Sequence, residues 1–436
     1  MNNSFQQEDL LASNPTNDEI SVAVKANAIS ANIKFGVVSI IDGKIYRVLS
    51  NKSMIVHIEE VKAVIDELCA AGLVETAFLG KTSDGEYILR HRAFKHQIFH
   101  NEWTTEQRKA AALMVLQLQR VMMKYNLYLH DPHPMNVTFV GPKPIYFDFD
   151  SICQGAPNWV GWMKLFWMGR NPHQSWANLL GIKKASTNNA IYKYPDPASM
   201  FDESFISTIE APSKSQGTQW STYIQQIPTN MNFKNVDSYT GKYAAVSKMF
   251  LKHDLGDEVE SVLDIGASHG AFSQCMLALG AKDVVAVDID EPVIEEFYKK
   301  TVEQNLPVTC AYLDFMSYHE EFGVHRTTEN GLKCDLVLCI ALIHHLCYFR
   351  GVTFEELAKR LHRVTGKYLM LGWISNDDKY LNGITNQLGI DRKDYTVQNF
   401  QAVFGKYFEQ IDRTVGMDLP SRNLYLFKRK VGEGSR

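Results

Sequence analysis

Apolar and polar residues follow two different patterns along this 436-residue chain, and the pattern changes near residue 237. Beyond that point, short apolar runs predict strands at 261–265, 284–287, 308–312, 336–339, 368–373 and, at the end of the chain, in the segment RNLYLFKR. Between the strands, apolar residues recur at helical spacing and predict helices at 243–251, 271–279, 292–304, 354–364 and 397–404. Strands that alternate with helices predict a parallel sheet covered on both faces.

The first half of the chain has a less regular pattern. Residues 33–49 predict a β-hairpin, because apolar runs flank the turn pair Asp42-Gly43. Residues 56–71 and 106–125 predict helices, and two short β-like runs around GPKP predict a second hairpin. The aromatic residues of 159–180 are typical of a helix core. They are Trp159, Trp162, Phe166, Trp167 and Trp176.

These patterns divide the chain into four parts. Residues 1–32 predict a flexible tail, 33–184 one domain and 237–436 a second domain. Residues 185–236 are rich in Ser, Thr, Asn, Gln and Pro, which is typical of a domain boundary. This segment is too long for an idle spacer, so we expect it to wrap one domain or to cover a site.

Composition limits the class of protein. The formal charge is −4 with both signs mixed, which argues against nucleic acid as a partner. Seven cysteines without a C-x-x-C pair favour reduced thiols and a cytoplasmic location. The polar, acidic first residues argue against a secretory signal, and we expect no membrane span and no metal site. The oligomeric state stays open.

The stretch VLDIGASHGAF presents an acid at the end of a predicted strand and then a glycine turn. Gly266 and Gly270 permit a positive φ and a close approach of the backbone to a ligand. The spacing differs from the G-x-G-x-x-G of nicotinamide enzymes. Asp264 before the turn would repel a pyrophosphate but would suit an ammonium or sulfonium ligand. The carboxyl ends of parallel strands are where such sheets bind ligands.

This turn, together with VVAVDID and YLDF, resembles the class I S-adenosylmethionine (AdoMet) methyltransferases over about residues 237–430. The resemblance implies a Rossmann-like, seven-stranded α/β sheet and AdoMet as the cofactor, with S-adenosylhomocysteine as the product. It also implies positions along the cofactor. Asp264, Gly266, Ala267 and Gly270 would hold the methionine end, Asp288 and Ile289 the ribose, Asp314 and Phe315 the adenine, and Cys339 and Ile340 would flank the methionine side.

The segment CIALIHHLCYFR supplies the catalytic candidates. His344 or His345 could accept a proton from a hydroxyl or amide acceptor; alternatively they form a packed pair at a helix start. Asp377 and Asp378 lie near the same rim or in a solvated loop. The wider run also resembles bacterial nodulation-protein-like methyltransferases. That group has an acid in the fifth strand where this chain has Gly372.

The segment HDPHPMNV followed by IYFDFD resembles the catalytic loop of aminoglycoside phosphotransferases and related kinases. The resemblance implies an α+β protein-kinase-like domain in which Asp131 is the base, Asn136 a magnesium ligand, and Asp148 or Asp150 the metal-binding acid. The upstream part departs from the family pattern. No glycine-rich loop precedes residue 33, Arg47 stands where a lysine is expected, and Glu59 or Glu60 would be its partner.

The sequence therefore predicts an AdoMet-dependent methyltransferase acting on an O or N nucleophile of a sugar, glycan or natural-product acceptor. We expect the kinase-like domain to shape or dock the acceptor where the two halves meet. The alternatives are a side-chain N-methyltransferase acting on a peptide natural product, a bifunctional kinase-methyltransferase that also uses Mg/ATP, and a noncatalytic scaffold.

Overall fold

The structure is a computed structural model. It describes residues 15–32, 36–50, 58–157, 162, 166, 176–180, 206, 207, 209, 218, 221–228, 231–317, 331–379, 381, 393–417 and 419–431. These residues form an N-terminal half and a C-terminal half that share one hydrophobic core. Within these ranges, no helix combines the length and the apolar character needed to cross a bilayer.

An antiparallel sheet of five strands opens the fold, in the order β1-β2-β3-β5-β4. The strands are β1 (Ser30–Asn32), β2 (Gly36–Ile41), β3 (Lys44–Leu49), β4 (Thr76–Lys81) and β5 (Tyr87–His91), with α1 (Asn17–Ala26) before them and α2 (Ile58–Ala70) between β3 and β4. The flexible tail expected through residue 32 is wrong for 17–32. Thr16 and Glu19 form a capping box at the start of α1, and Val24 is fully buried.

A helix and two short hairpin-like pairs complete the N-terminal half. They are α3 (Thr105–Met123), β6 (Leu127–Leu129), β7 (Val137–Val140), β8 (Lys143–Tyr146) and β9 (Ile152–Gln154), where β6 pairs with β9 and β7 with β8. The core position expected for Trp162, Phe166 and Trp176 is confirmed, because all three side chains are buried. The Phe166 ring stacks against both tryptophans. Trp159 and Trp167 lie outside the described residues.

The C-terminal half contains the predicted α/β sheet of seven strands. Its elements are α4 (Gly241–Lys252), β10 (Ser261–Ile265), α5 (Ala271–Ala278), β11 (Asp283–Asp288), α6 (Glu291–Gln304), β12 (Val308–Tyr312), β13 (Cys334–Cys339), α7 (Phe354–Val364), β14 (Thr365–Ile374), α8 (Val397–Tyr407), β15 (Phe408–Val415) and β16 (Arg422–Arg429). The order is β12-β11-β10-β13-β14-β16-β15, and β16 runs antiparallel to both neighbours. The apolar pattern of the sequence did not predict β15, because this edge strand exposes most of its side chains and so has no apolar run.

The strand order places a ligand crevice at the centre of this sheet. From β10 the chain moves outward to β11 and β12, then returns to β13 on the other side of β10. At such a switch point the loops after neighbouring strands diverge and leave a crevice at their carboxyl ends.

The N-terminal half covers the free edge of the seven-stranded sheet. Gln107 Nε2 donates to the carbonyl oxygen of Cys310 at 2.8 Å, and the Gly141 N–H donates to Thr309 Oγ1 at 3.0 Å, so both contacts reach edge strand β12. Lys95 Nζ donates to Ser261 Oγ at 2.8 Å, where β10 begins. Covering an edge strand prevents it from pairing with another chain. The N-terminal half therefore packs along the edge and amino end of the sheet.

Candidate active site

A cavity of about 390 Å³ opens at the carboxyl ends of β10, β11, β12 and β13, and we call it the donor cavity. Much of its wall is apolar, formed by Ile265, Phe272, Ile289, Leu313, Phe315, Leu342, Leu346 and Phe349. The described residues that line it lie between 227 and 350, so they belong to the boundary segment and the C-terminal half. The acceptor site expected where the two halves meet stays a prediction.

The turn after β10 presents backbone to the donor cavity, through Gly266, Ala267 and Ser268. The Asp264 side chain is not on the cavity wall; it is 2% exposed and accepts a hydrogen bond from Ser273 Oγ at 2.7 Å. Burial raises the pKa of Asp264 to about 6. The structure thus places Asp264 beneath the turn, where it anchors the first turn of α5.

Gly270 also lies behind the wall and has a packing role. Its φ is +71°, and a Cβ at this position would overlap the ring of Phe297 on α6. The glycine therefore permits close packing between the turn and α6.

Asp288 lies at the end of β11 and lines the donor cavity. Its Oδ2 accepts the Ser268 N–H at 2.8 Å, and its Oδ1 accepts the Asp290 N–H at 2.9 Å. Burial raises the pKa of Asp288, although these backbone donors oppose the shift. The hydrogen bonds fix the orientation of the carboxylate, whose oxygens can accept hydrogen bonds from ligand hydroxyls.

Asp314 follows β12 and also lines the donor cavity, but it has an ion-pair partner that the sequence did not reveal. Arg350 donates to both carboxyl oxygens, at 2.9 and 2.8 Å, and the Met316 N–H donates to Oδ1 at 3.0 Å. These donors hold the carboxylate in one orientation on the wall of the donor cavity.

The two candidate histidines occupy different positions on a π-helix, His344–Phe349. His345 lines the donor cavity, whereas His344 lies behind it, 3% exposed, with the ring centroids 4.0 Å apart. Burial lowers the pKa of His345 to about 4; burial and the neighbouring His345 lower that of His344 to about 3. Both rings are neutral at pH 7.

The end of β13 and the neighbouring β14 complete the wall. Ile340 and Ala341 line the donor cavity, while Cys339 is fully buried beneath them. A Cβ on Gly372 would lie 3.1 Å from the Ala341 nitrogen, so a larger residue at this position would require the neighbouring backbone to shift slightly. Asp377 is exposed, and Asp378 is buried in an ion pair with Arg422.

Sequence reasoning missed several residues of the donor cavity, among them Ile227, Lys242, Tyr243 and Arg350. Lys242 and Tyr243 start α4, one helix before the glycine turn, so no motif at the turn indicated them. Ile227 belongs to the polar boundary segment, and the Thr218 hydroxyl of that segment donates to Asp290 Oδ2 at 2.5 Å. Most of this segment lies outside the described residues, so its expected role as a cover stays a prediction.

The kinase-like candidates lie together beside the five-stranded sheet. Asn136 Nδ2 donates to Asp148 Oδ2 at 3.1 Å, and His133 Nε2 lies 3.2 Å from Asp131 Oδ2. Burial and the charge of Asp150 raise the pKa of Asp148 to about 6. Within the ranges described above, no three His, Cys, Asp or Glu side chains are arranged to bind a metal ion.

Arg47 takes a different partner from the one expected on α2. It forms an ion pair with Asp150, and its Nε contacts His91 Nε2 at 3.1 Å. Glu59 instead accepts from the Tyr87 hydroxyl at 2.7 Å and pairs with Lys81. Arg47 on β3 therefore pairs with Asp150, and Glu59, one of the two α2 acids suggested as its partner, contacts Tyr87 and Lys81 instead.

The donor cavity fits AdoMet in the chemistry of its walls. Asp288 and Asp314 offer acceptors for sugar hydroxyls and an amino group, and the aromatic and aliphatic residues around them suit a purine ring. The glycine turn allows backbone contact at the other end of the cavity.

Comparisons with known proteins point the same way. The model of the FtsJ-like methyltransferase family matches residues 242–340. Nodulation protein NoeA of Rhizobium meliloti (strain 1021) is 21% identical over 398 residues, covering 78% of this chain and 82% of NoeA.

Two solved structures of low overall similarity complete the comparison. N-methyltransferase NodS from Bradyrhizobium japonicum WM9 is 14% identical, with a TM-score of 0.31, over 43% of this chain and 96% of NodS. The bifunctional kinase-methyltransferase WbdD is 18% identical, with a TM-score of 0.31, over 42% of this chain and 38% of WbdD.

Proposed function

We propose that this chain, an AdoMet-dependent methyltransferase, transfers the methyl group to an O or N nucleophile of a sugar, glycan or natural-product acceptor. The observation that supports the cofactor assignment is Asp288, which lines the donor cavity at the end of β11 and whose carboxylate is held by the Ser268 and Asp290 N–H groups.

In this proposal each end of the donor cavity has its own role. Asp288 accepts the ribose hydroxyls, and Asp314, aligned by Arg350, accepts the adenine amino group, with Ile289 and Phe315 packing nearby. Gly266, Ala267 and Ile340 surround the methionine end. Asp264, Gly270 and Cys339 are not on the cavity wall. They pack behind the residues that form it and hold those residues in position.

AdoMet supplies an activated methyl group on a positively charged sulfur, so the protein needs mainly to orient the reactants and to exclude water. Phe272, Leu346 and Phe349 line the cavity and exclude water from it. His345 is the one histidine of the candidate pair on the wall, and its lowered pKa makes it a weak proton acceptor. This favours an acceptor that reacts without losing a proton to the protein.

Calorimetry with AdoMet or S-adenosylhomocysteine tests the proposal. The Asp288→Ala variant should bind about 5- to 100-fold more weakly, because losing hydrogen bonds to the ribose costs about 1–3 kcal/mol. The control Glu303→Gln, on the exposed face of α6, should bind like the wild type. Unchanged binding by Asp288→Ala would remove the assignment.

For the N-terminal half we propose a protein-kinase-like fold that docks the acceptor. The support is a five-stranded sheet with a helix between β3 and β4, and the contact between Asn136 and Asp148. Arg47 stands where a kinase has a lysine and pairs with Asp150, one of the two candidate metal-binding acids, and this departure favours docking over phosphoryl transfer.

A bifunctional kinase-methyltransferase is the second candidate, favoured by the juxtaposed Asp131, Asn136 and Asp148. Titration of MgATP into the full chain separates the two. A kinase should bind MgATP and lose binding in Asp148→Ala, whereas a docking module should bind none. A peptide N-methyltransferase would instead appear in a labelled-methyl transfer screen that includes peptide amides.

A further inference from the structure

A second cavity of about 160 Å³ borders the donor cavity. Lys242, Tyr243, Ile340 and Ala341 line both cavities, so the two share one wall. The remaining lining comes from the start of α4, the end of β14 and residues that include Met417 and Arg422. A group bound in the second cavity would therefore lie next to the methionine end of the donor cavity.

The second cavity has a positive lining. Lys242 and Arg422 are the cationic side chains on its wall, and none of the described residues that line it is acidic. The acid nearest to Arg422 is Asp378, which is 1% exposed and lies beneath it rather than on the wall. It accepts Arg422 Nε at 3.2 Å and Ser421 Oγ at 2.5 Å. This contact fixes the orientation of the guanidinium group, which suits recognition of an oxyanion.

The start of α4 adds to this lining. Thr240 and Gly241 are on the wall, and the Thr240 side chain makes no capping hydrogen bond to the helix. The amino end of a helix carries a partial positive charge, which favours an anion. This contribution supplements the two cationic side chains.

We propose that the second cavity binds an oxyanion of the acceptor, a carboxylate or a phosphate, and that an oxygen of this group receives the methyl. This inference rests on the proposed methyltransferase function and names the acceptor chemistry within it. Arg422 and Lys242 hold the group, with the reacting oxygen at the shared wall formed by Ile340 and Ala341.

The reaction balances without a base. A new oxygen–carbon bond forms as the carbon–sulfur bond breaks, and the electron pair of the broken bond stays on sulfur. The negative charge of the oxyanion and the positive charge of the sulfonium cancel, and no proton leaves. Cancellation of opposite charges is favoured in a cavity shielded from water. The neutral, weakly basic His344 and His345 fit this scheme, since neither has to accept a proton.

The test measures binding of acetate and of inorganic phosphate to the full chain saturated with S-adenosylhomocysteine, by calorimetry or by phosphorus NMR. At least one probe should bind, and the better probe identifies the acceptor as a carboxylate or a phosphate. Arg422→Gln should weaken binding about 10- to 100-fold, the effect of a charge-assisted hydrogen bond. Arg429→Gln, on the same strand but outside the cavity, should bind the probe like the wild type.

A second variant guards against a structural effect of Arg422→Gln on buried Asp378. Lys242→Gln leaves the Arg422–Asp378 pair intact and should also weaken probe binding. The proposal is overturned if neither probe binds, if both variants bind as the wild type does, or if the probes compete with S-adenosylhomocysteine, which would assign the cations to the cofactor carboxylate. Absence of S-adenosylhomocysteine binding by the wild type would instead contradict the proposed function itself.

Discussion

Arg350 and Asp314 join two loops of the donor cavity through a bidentate ion pair, with Nη1–Oδ1 and Nη2–Oδ2 distances of 2.9 and 2.8 Å. Asp314 follows β12, and Arg350 ends the π-helix that carries the two histidines. Burial acts to raise the pKa of Asp314, but Arg350 and the Met316 N–H outweigh it, so the pKa is lowered. The pair keeps this carboxylate ionised and aligned.

The Arg350→Gln variant should bind S-adenosylhomocysteine several-fold more weakly. The effect is modest because the pair is partly exposed, and such pairs contribute about 0–1 kcal/mol. If Arg350 aligns Asp314 toward an amino group, the loss should disappear for the analogue whose purine lacks that group. An equal loss for both ligands would show that Arg350 acts only on the stability of the loops. Arg350→Lys should be intermediate, since a lysine cannot form the bidentate contact.

Gly270→Ala should destabilise the fold more than Gly280→Ala. Both glycines have a positive φ, so each substitution costs about 1 kcal/mol in backbone strain. Only the new methyl at position 270 overlaps Phe297, and overpacking adds about 1–3 kcal/mol. Urea unfolding of the two variants measures the difference.

A double variant isolates the contact. Phe297→Leu should recover part of the loss in the Gly270→Ala background, because it removes the ring that the methyl meets. Equal unfolding free energies for Gly270→Ala and Gly280→Ala would contradict the packing role of Gly270.

His345 should titrate near pH 4 and not near neutrality, because burial opposes its charged form. NMR titration of the histidine ring protons, assigned with His345→Gln, measures this. The unfolded chain takes up this proton near pH 6.5. The folded state therefore loses stability as the pH falls from about 6.5 to 4, and His345→Gln should reduce this slope. A His345 signal that titrates between pH 6 and 7 would contradict the burial argument.

Asp148 and Asp335 should influence stability with opposite signs. In the folded state the pKa of Asp148 is raised to about 6. An aspartate in the unfolded chain loses its proton near pH 4. The free energy of unfolding therefore falls as the pH rises from about 4 to 6. Asp148→Asn should therefore be more stable than the wild type at pH 7, by roughly 1–3 kcal/mol, with no gain near pH 3.5.

For Asp335, burial acts to raise the pKa, but hydrogen bonds from Ser261 and the Glu260 N–H outweigh it and lower the pKa. Asp335→Asn should lose stability at pH 7, and the loss should vanish as the pH falls below about 4. Urea unfolding at pH 3.5, 5 and 7 distinguishes the signs. A gain at pH 7 for Asp335→Asn, or a loss for Asp148→Asn, would contradict the assignment.

The sequence indicated the strands and helices that meet at the donor cavity because their signals are local. An apolar run that ends in Asp264 or Asp288, followed by a turn and a helical pattern, defines a strand and its carboxyl end without reference to the rest of the chain. Edge strand β15 lacked this signal, since most of its side chains face water and leave no apolar run.

By itself, the sequence determined the α/β alternation of the C-terminal half and the acids at its strand ends, because periodicity and motif spacing are properties of neighbouring residues. The cofactor followed from the resemblance of these motifs to class I methyltransferases. Only the tertiary structure decided which side chains face the cavity. It turned Asp264 and Cys339 inward, paired Asp314 with Arg350, and brought Lys242 and Arg422, 180 positions apart, to one wall. Such contacts depend on chain crossings and side-chain packing, which no local pattern encodes.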